Sequence, residues 1–100
     1  MITYQILSIC YQVDCVEVDI DYHGHDISGM SIPGIQTTKS CIEKCENEKN
    51  CHAWTYIPLN STLVGSPPGT CYLKDENFMQ GRLKEEGRVS GRKKCCELFF

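Results

Sequence analysis

The sequence predicts a small α+β domain stapled by disulfides, with one helix laid over an antiparallel sheet. Three observations predict it. Eight cysteines fall within one hundred residues, a density that belongs to scaffolds too small to hold themselves by a hydrophobic core alone. A short polar segment carries two cysteines four apart, the spacing of one helix face. Around it lie short segments with the alternation or the β-branched and aromatic content of strands. One hundred residues make one domain, with no room for a second core, so residues 1–100 are read as a single module.

The helix is expected over about residues 38–48. Cys41 and Cys45 stack on one face and Ile42 widens it, while Lys39, Glu43, Lys44, Glu46 and Glu48 point to solvent. Thr38 is a possible N-cap; Ser40, with Glu43 three residues on, is another as a capping box. Asn47 to Asn50, poor helix formers rich in turn use, mark the stop. A helix of about three turns does not hold itself in water, so its two sulfurs must tie it to partners elsewhere in the chain.

Val16, Val18, Ile20 and Tyr22 alternate with Glu17, Asp19 and Asp21, strict period-two patterning that predicts a strand over about 14–22 with one face buried. His23-Gly24-His25-Asp26 is a turn, and Asp26 to Met30 is a short second strand. Residues 31–36, with Pro33 and Gly34, form a loop into the helix. Beyond the helix, Cys51 to Ile57 is β-rich and aromatic and is closed by Pro58. Residues 58–70 are a long polar loop with the strongest turn chemistry in the chain. Thr70 to Lys74 is another strand, with Cys71 and Leu73 on one face, and it pairs antiparallel with the strand before the loop. Residues 75–87 read as irregular, broken by Gly81 and Gly87. Arg88-Val89-Ser90 is a last short strand and Gly91 a turn. Adjacent Cys95 and Cys96 reach separate partners, because a bond between neighbours is strained.

Composition and charge exclude several classes. The formal net charge is −3, and the acidity argues against a nucleic-acid footprint. Residues 1–30 hold Asp14, Glu17, Asp19, Asp21 and Asp26 without a Lys or Arg, whereas seven basic residues fall between Lys74 and Lys94; the two ends attract if they meet. No apolar run approaches the ~20 residues of a membrane span. Residues 2–9 are too short and polar for a signal peptide, so the chain is expected to be a module cut from a longer secreted protein. Zinc sites want a second matching pair of ligands, which His23, His25 and His52 do not supply. No cofactor or metal is expected. No serine sits in a nucleophile context and every cysteine has a potential partner, so the chain is read as non-enzymatic.

The order of these pieces resembles the PAN/Apple domain family. The resemblance is carried by Cys15, the first strand, Gly24-x-Asp26-Ile27, Cys41-x3-Cys45 on a helix, Cys51-x-x-Trp54-x-Tyr56, Cys71-x-Leu73-Lys74, Ser90-Gly91 and Cys95, and it covers about residues 15–95. The start at Tyr22 and the end at Ser90-Gly91-x-Lys93-x-Cys95 look closest to the modules of apicomplexan microneme adhesins. The resemblance implies a five-stranded antiparallel sheet crossed by one helix. It also implies the disulfides Cys41–Cys71 and Cys45–Cys51, with Cys15–Cys95 joining the ends. Cys10 and Cys96 are additions to the family pattern, expected as a second clasp beside Cys15–Cys95 or with partners exchanged.

The resemblance implies that Trp54 lies in the core beneath the helix, and strand alternation puts His52 and Tyr56 on its side. Tyr72 and Lys74 alternate away from Cys71 and Leu73, which places them on the opposite, solvent-facing side as a candidate ligand patch. Asn60-Ser61-Thr62 is an acceptor pattern for N-glycosylation. The function that the resemblance implies is extracellular adhesion: one repeat of a secreted parasite adhesin, acting with other modules of its chain on a protein or glycan of a host cell. The alternative is an accessory domain of a secreted serine protease or growth factor. Neither nucleic acid nor membrane insertion is expected.

Overall fold

The structure, a computed structural model, describes residues 15–63 and 65–93. They form strands β1 (Val16–Tyr22) and β2 (Asp26–Ile32), helix α1 (Thr38–Glu46), strands β3 (Ala53–Tyr56) and β4 (Cys71–Lys74), a 3-10 turn (Phe78–Gly81) and strand β5 (Arg82–Arg92). The five strands make one sheet in the order β1-β5-β3-β4-β2, with every neighbouring pair antiparallel. This is the one-helix, five-stranded antiparallel architecture that the family resemblance implies.

The helix is capped by Thr37, one residue before Thr38 and three before Ser40, the two expected caps. Thr37 is extended, and its Oγ1 accepts the backbone N–H of Ser40 at 3.0 Å, satisfying one of the orphan donors of the first turn. Thr38 is already helical. The Ser40 hydroxyl is used by Thr37 Oγ1, 3.0 Å away, so the Ser40–Glu43 box does not form. Cys41 and Cys45 are the buried residues of the helix. Cys41 bonds Cys71 of β4 (Cα–Cα 5.4 Å) and Cys45 bonds Cys51 at the entry to β3 (Cα–Cα 5.3 Å). A marginal helix is thus pinned at two points to the sheet it covers. Cys15 is disulfide-bonded; Cys10, Cys95 and Cys96, which the terminal pairings invoke, lie outside the described residues.

Under the helix, Trp54, Tyr56 and Leu73 pack with Ile35 and the four sulfurs. His52, expected beside them, is exposed. The Tyr56 hydroxyl donates to the Ile35 carbonyl at 2.6 Å, and Ile35 N–H donates to Gly69 at 2.8 Å. The approach to the helix is thereby tied to the far end of the β3–β4 hairpin.

The last strand is far longer than expected. Residues 82–87, read as irregular, are strand, and Gly91 lies within β5 opposite Trp54. Gly91 is there for space: a Cβ would lie 2.6 Å from the Trp54 ring and 2.8 Å from the Cys15 carbonyl oxygen. Strand β2 likewise runs on through Ser31 and Ile32, because both pair with β4.

The β1–β5 ribbon bends where register skips. Val18 faces Val89, but Ile20 faces Lys84. Asp19, at φ +62°, and Gly87, at φ +85°, take the left-handed backbone that the bend requires. The Asp19 carboxylate accepts the Gly87 N–H at 2.9 Å and fixes the kink. The bend corrects the expected alternation of β1: Val18 is 68% exposed and Asp21 is buried.

Beyond the bend, the ribbon covers the face of the sheet opposite the helix. Tyr22 N–H reaches Thr55 Oγ1 at 3.3 Å, Thr55 Oγ1 lies 2.7 Å from Ser90 Oγ, and the Ser90 hydroxyl donates to the Ile20 carbonyl at 2.7 Å. The donors run in one direction, so the Thr55 hydroxyl donates to Ser90. Strand β3 is therefore buried on both faces, in all four of its residues. The charge asymmetry of the ends is used here: Arg82 Nε meets Glu17 at 2.8 Å, and Arg88 Nε lies 3.8 Å from Asp21.

Candidate recognition surface

The expected patch at Tyr72 and Lys74 does not present two solvent-facing side chains. Lys74 is 3% exposed. Its ammonium is paired with Asp26 and donates to the Gly24 carbonyl at 3.0 Å. It also sits 5.3 Å from the centroid of the half-buried Tyr72 ring. A lysine in this setting is an internal strut joining β4 to β2, because a buried cation needs a counter-charge and acceptors around it.

An open surface occurs instead at the ribbon bend. The loop after β3 turns at 58–61, where Ser61 N–H donates to the Pro58 carbonyl at 3.0 Å. Leu63 N–H donates to Ser61 Oγ at 3.2 Å. The loop then runs alongside β5. Leu63 packs where a Cβ on Gly87 would stand, 3.3 Å away. Arg88 bridges the two: it donates to Ser66 Oγ at 2.5 Å and meets Glu85 at 3.3 Å.

Between loop and bend lies a groove of about 330 Å³, lined among others by Val18, Asp19, Asn60, Leu63, Glu86 and Arg88. Its lining combines apolar side chains with carboxylates, an amide and hydroxyls. That mixture suits binding and orientation of a ligand. Arg88 is committed to its own partners, and the Asp19 carboxylate to Gly87, so the polar groups left at the rim are Glu86, Asn60 and Thr62, all exposed.

The expected 58–70 loop thus contributes to the site, with Asn60 exposed at its rim. Val18, Glu86, Gly87 and Arg88 were not legible as site residues. Val18 reads as a core position by alternation, and Gly87 as a breaker in a charged run. A glycine inside such a run, opposite an aspartate in an otherwise apolar–acidic strand, is the signal that points to paired bulges. The Tyr72 ring remains half-buried on the sheet, away from this groove's lining.

Among the described residues no three His, Cys, Asp or Glu side chains are grouped so as to hold a metal ion. His23 and His25 lie apart from one another's partners: His23 Nδ1 is 3.6 Å from Asp21, and His25 Nδ1 is 3.8 Å from Asp75. No helix among the described residues is long and apolar enough to cross a membrane.

A sequence profile of the PAN domain matches residues 20–74. That span holds β1 from its bend, β2, the helix and both described disulfides. The fold is similar to the solution structure of the two N-terminal apple domains of Toxoplasma gondii microneme protein 4. The TM-score is 0.63 at 20% sequence identity, over 84% of this chain and 48% of that one. The chain therefore spans about half of that two-domain structure. Comparison with curated proteins returns no match.

Proposed function

The chain belongs to the PAN domain family, and from that premise we propose that it is a non-enzymatic extracellular recognition module, which binds protein on a cell surface as one unit of a longer secreted adhesin of the microneme kind. The observation that carries the reading is the groove beside the ribbon bend. The helix, both described disulfides and the hydroxyl relay are spent on holding the sheet. The groove, by contrast, leaves Val18 and Glu86 exposed. Exposed apolar surface rimmed by polar groups is the usual mark of a contact site.

Protein is favoured over glycan as the ligand because the groove lining contains no aromatic ring on which a sugar would stack. About 330 Å³ is at the low end of the ~300–1,000 Å³ of small-ligand sites. It admits one anchoring side chain of a partner, with further contact spread over the rims. A single module of this kind gives a small interface, and useful strength comes from repetition along the parent chain. The disulfide framework suits an oxidising, protease-rich exterior.

Binding of a tetramerised form to intact host cells tests the proposal. Retention is expected, lost when the cells are first stripped with protease and unchanged when their glycans are trimmed. Retention that survives protease and disappears with the glycans would replace protein by sugar. No retention by the tetramer would leave a spacer role.

A further inference from the structure

Asn60, Ser61 and Thr62 form an acceptor triplet for N-glycosylation, and the fold puts that triplet at one chosen place. Asn60 is exposed, and so is Thr62, two residues on. Both line the groove that Val18, Glu86 and Gly87 also line. The triplet sits in a loop leaving a tight turn rather than in a strand, so its backbone is not engaged in the sheet. In the same lining, Val18 is 68% exposed although it is a β-branched strand residue, and Leu63 packs beside Gly87.

We infer that Asn60 carries an N-linked glycan whose first sugar lies in this groove, its C–H face on Val18 and Leu63 and its hydroxyls toward Glu86. The inference rests on the extracellular reading above, since the modification requires passage through a secretory pathway. In the transfer, the side-chain amide nitrogen of Asn60 forms a bond to the anomeric carbon of a lipid-diphosphate-linked oligosaccharide. The bond from that carbon to the diphosphate breaks and the lipid diphosphate departs with its electron pair. One amide proton is lost to base, and nothing is oxidised or reduced. The attached sugar covers apolar surface that the bend leaves open, and it occupies the volume into which a partner would reach. Modified chains then have a closed groove, and recognition through the groove is confined to chains left unmodified at Asn60.

The test uses the whole chain secreted from a glycosylating eukaryotic host, beside Asn60→Gln, Thr62→Ala and Thr62→Ser. Intact mass is expected to exceed that of the bare chain by one glycan, removable by peptide N-glycosidase. The excess is expected to be absent from Asn60→Gln and Thr62→Ala and restored in Thr62→Ser. Amide NMR shifts between the glycosylated chain and Asn60→Gln are expected to extend to Val18, Leu63 and Gly87. A folded, secreted chain without the added mass would overturn the inference. So would shifts confined to residues 59–62, which describe a glycan pointing into solvent. Cell binding by the wild-type chain stripped of glycan by peptide N-glycosidase or made without glycosylation tests the recognition reading separately: its absence leaves the mass and shift results untouched, and its presence does not rescue a failed mass result.

Discussion

The ammonium of Lys74 is held by the carboxylate of Asp26, forty-eight residues earlier in the chain. The two residues face each other in the β2–β4 register, and the Gly24 carbonyl accepts a second hydrogen bond from the same ammonium at 3.0 Å. Gly24-x-Asp26 and Leu73-Lys74, separate fragments in the sequence, are thus two halves of one contact. It fixes the edge strand β2 to the sheet where ordinary ladder pairing lapses between Asp26 and Ser31.

Removing the two partners is expected to have unequal effects. The Lys74 side chain is 4% exposed and that of Asp26 is 43% exposed. Asp26→Ala leaves a buried cation with only the Gly24 carbonyl and the Tyr72 ring beside it and is expected to cost about 2–3 kcal/mol, below the ~3–5 kcal/mol of a fully buried pair because water reaches the acid. Lys74→Met leaves an acid that solvent can satisfy and replaces the stem with an apolar chain, for a loss of about 1 kcal/mol. Urea unfolding of both variants checks the order; a costlier Lys74→Met would contradict the strut.

The disulfides are expected to differ by loop length. Cys41–Cys71 closes a separation of 30 residues and Cys45–Cys51 one of 6. In the chain-entropy account these correspond to about 3.6 and about 2.2 kcal/mol. Paired Cys→Ala variants, compared by denaturant midpoint, should therefore rank Cys41/Cys71 as the more damaging loss. It should also loosen the helix from β4, visible as faster amide exchange at Cys45 and Lys44.

Stability should fall in strong alkali through Tyr22. Burial, reinforced by Glu17, pushes its phenol up to about 12 from the ordinary value of 10.0. The folded state holds the proton where the unfolded state has released it. The contribution is thus complete below pH 10 and is lost as pH rises through about 12. Tyr22→Phe keeps the ring beside Phe78, 4.9 Å between centroids, and removes the titration. Its denaturant midpoint is expected to decline less steeply than the wild type's across this window. Equal slopes would show that the phenol is not the group concerned.

How far the fold was legible depended on whether the information was local. Cys41 and Cys45 mark the helix face by spacing alone, and Cys71 and Leu73 mark the face of β4 that receives it. The far face of β3 was not legible, because Thr55 and Ser90 are polar and are buried only by the ribbon that folds over them. The same holds for Lys74, whose burial depends on Asp26, and for β5. Its charged residues 82–87 carry no apolar alternation, and the strand is held by backbone pairing with β1 and by Asp19 across the bend. Asp19 itself looked like one more outward residue in a regular strand. Its positive φ breaks the alternation, and with it the placing of Val18. The candidate groove lies at that break, which is why local patterning missed it.

The hydroxyl relay offers a check on the covered face. Ser90 is fully buried, and Ser90→Ala would leave the Ile20 carbonyl without its donor and the Thr55 hydroxyl without its acceptor. A loss of about 2 kcal/mol is expected, read by thermal or urea unfolding. Thr55→Val should cost a similar amount, and the double variant less than the sum, since the two act as one chain. Full additivity would mean that the hydroxyls act independently.

In the proposed function the groove at the ribbon bend, rather than the Tyr72 face of the sheet, meets the partner. The most direct measurement is equilibrium binding of tetramers to host cells by the unglycosylated wild type, Val18→Asp with Glu86→Arg, and Tyr72→Ala. Val18 and Glu86 are exposed, so their substitution should leave stability within about 0.5 kcal/mol, and unfolding curves verify that first. The account predicts binding by the wild type and by Tyr72→Ala, and at least a tenfold loss in the groove variant. Undiminished binding by the groove variant, with loss in Tyr72→Ala, would contradict it.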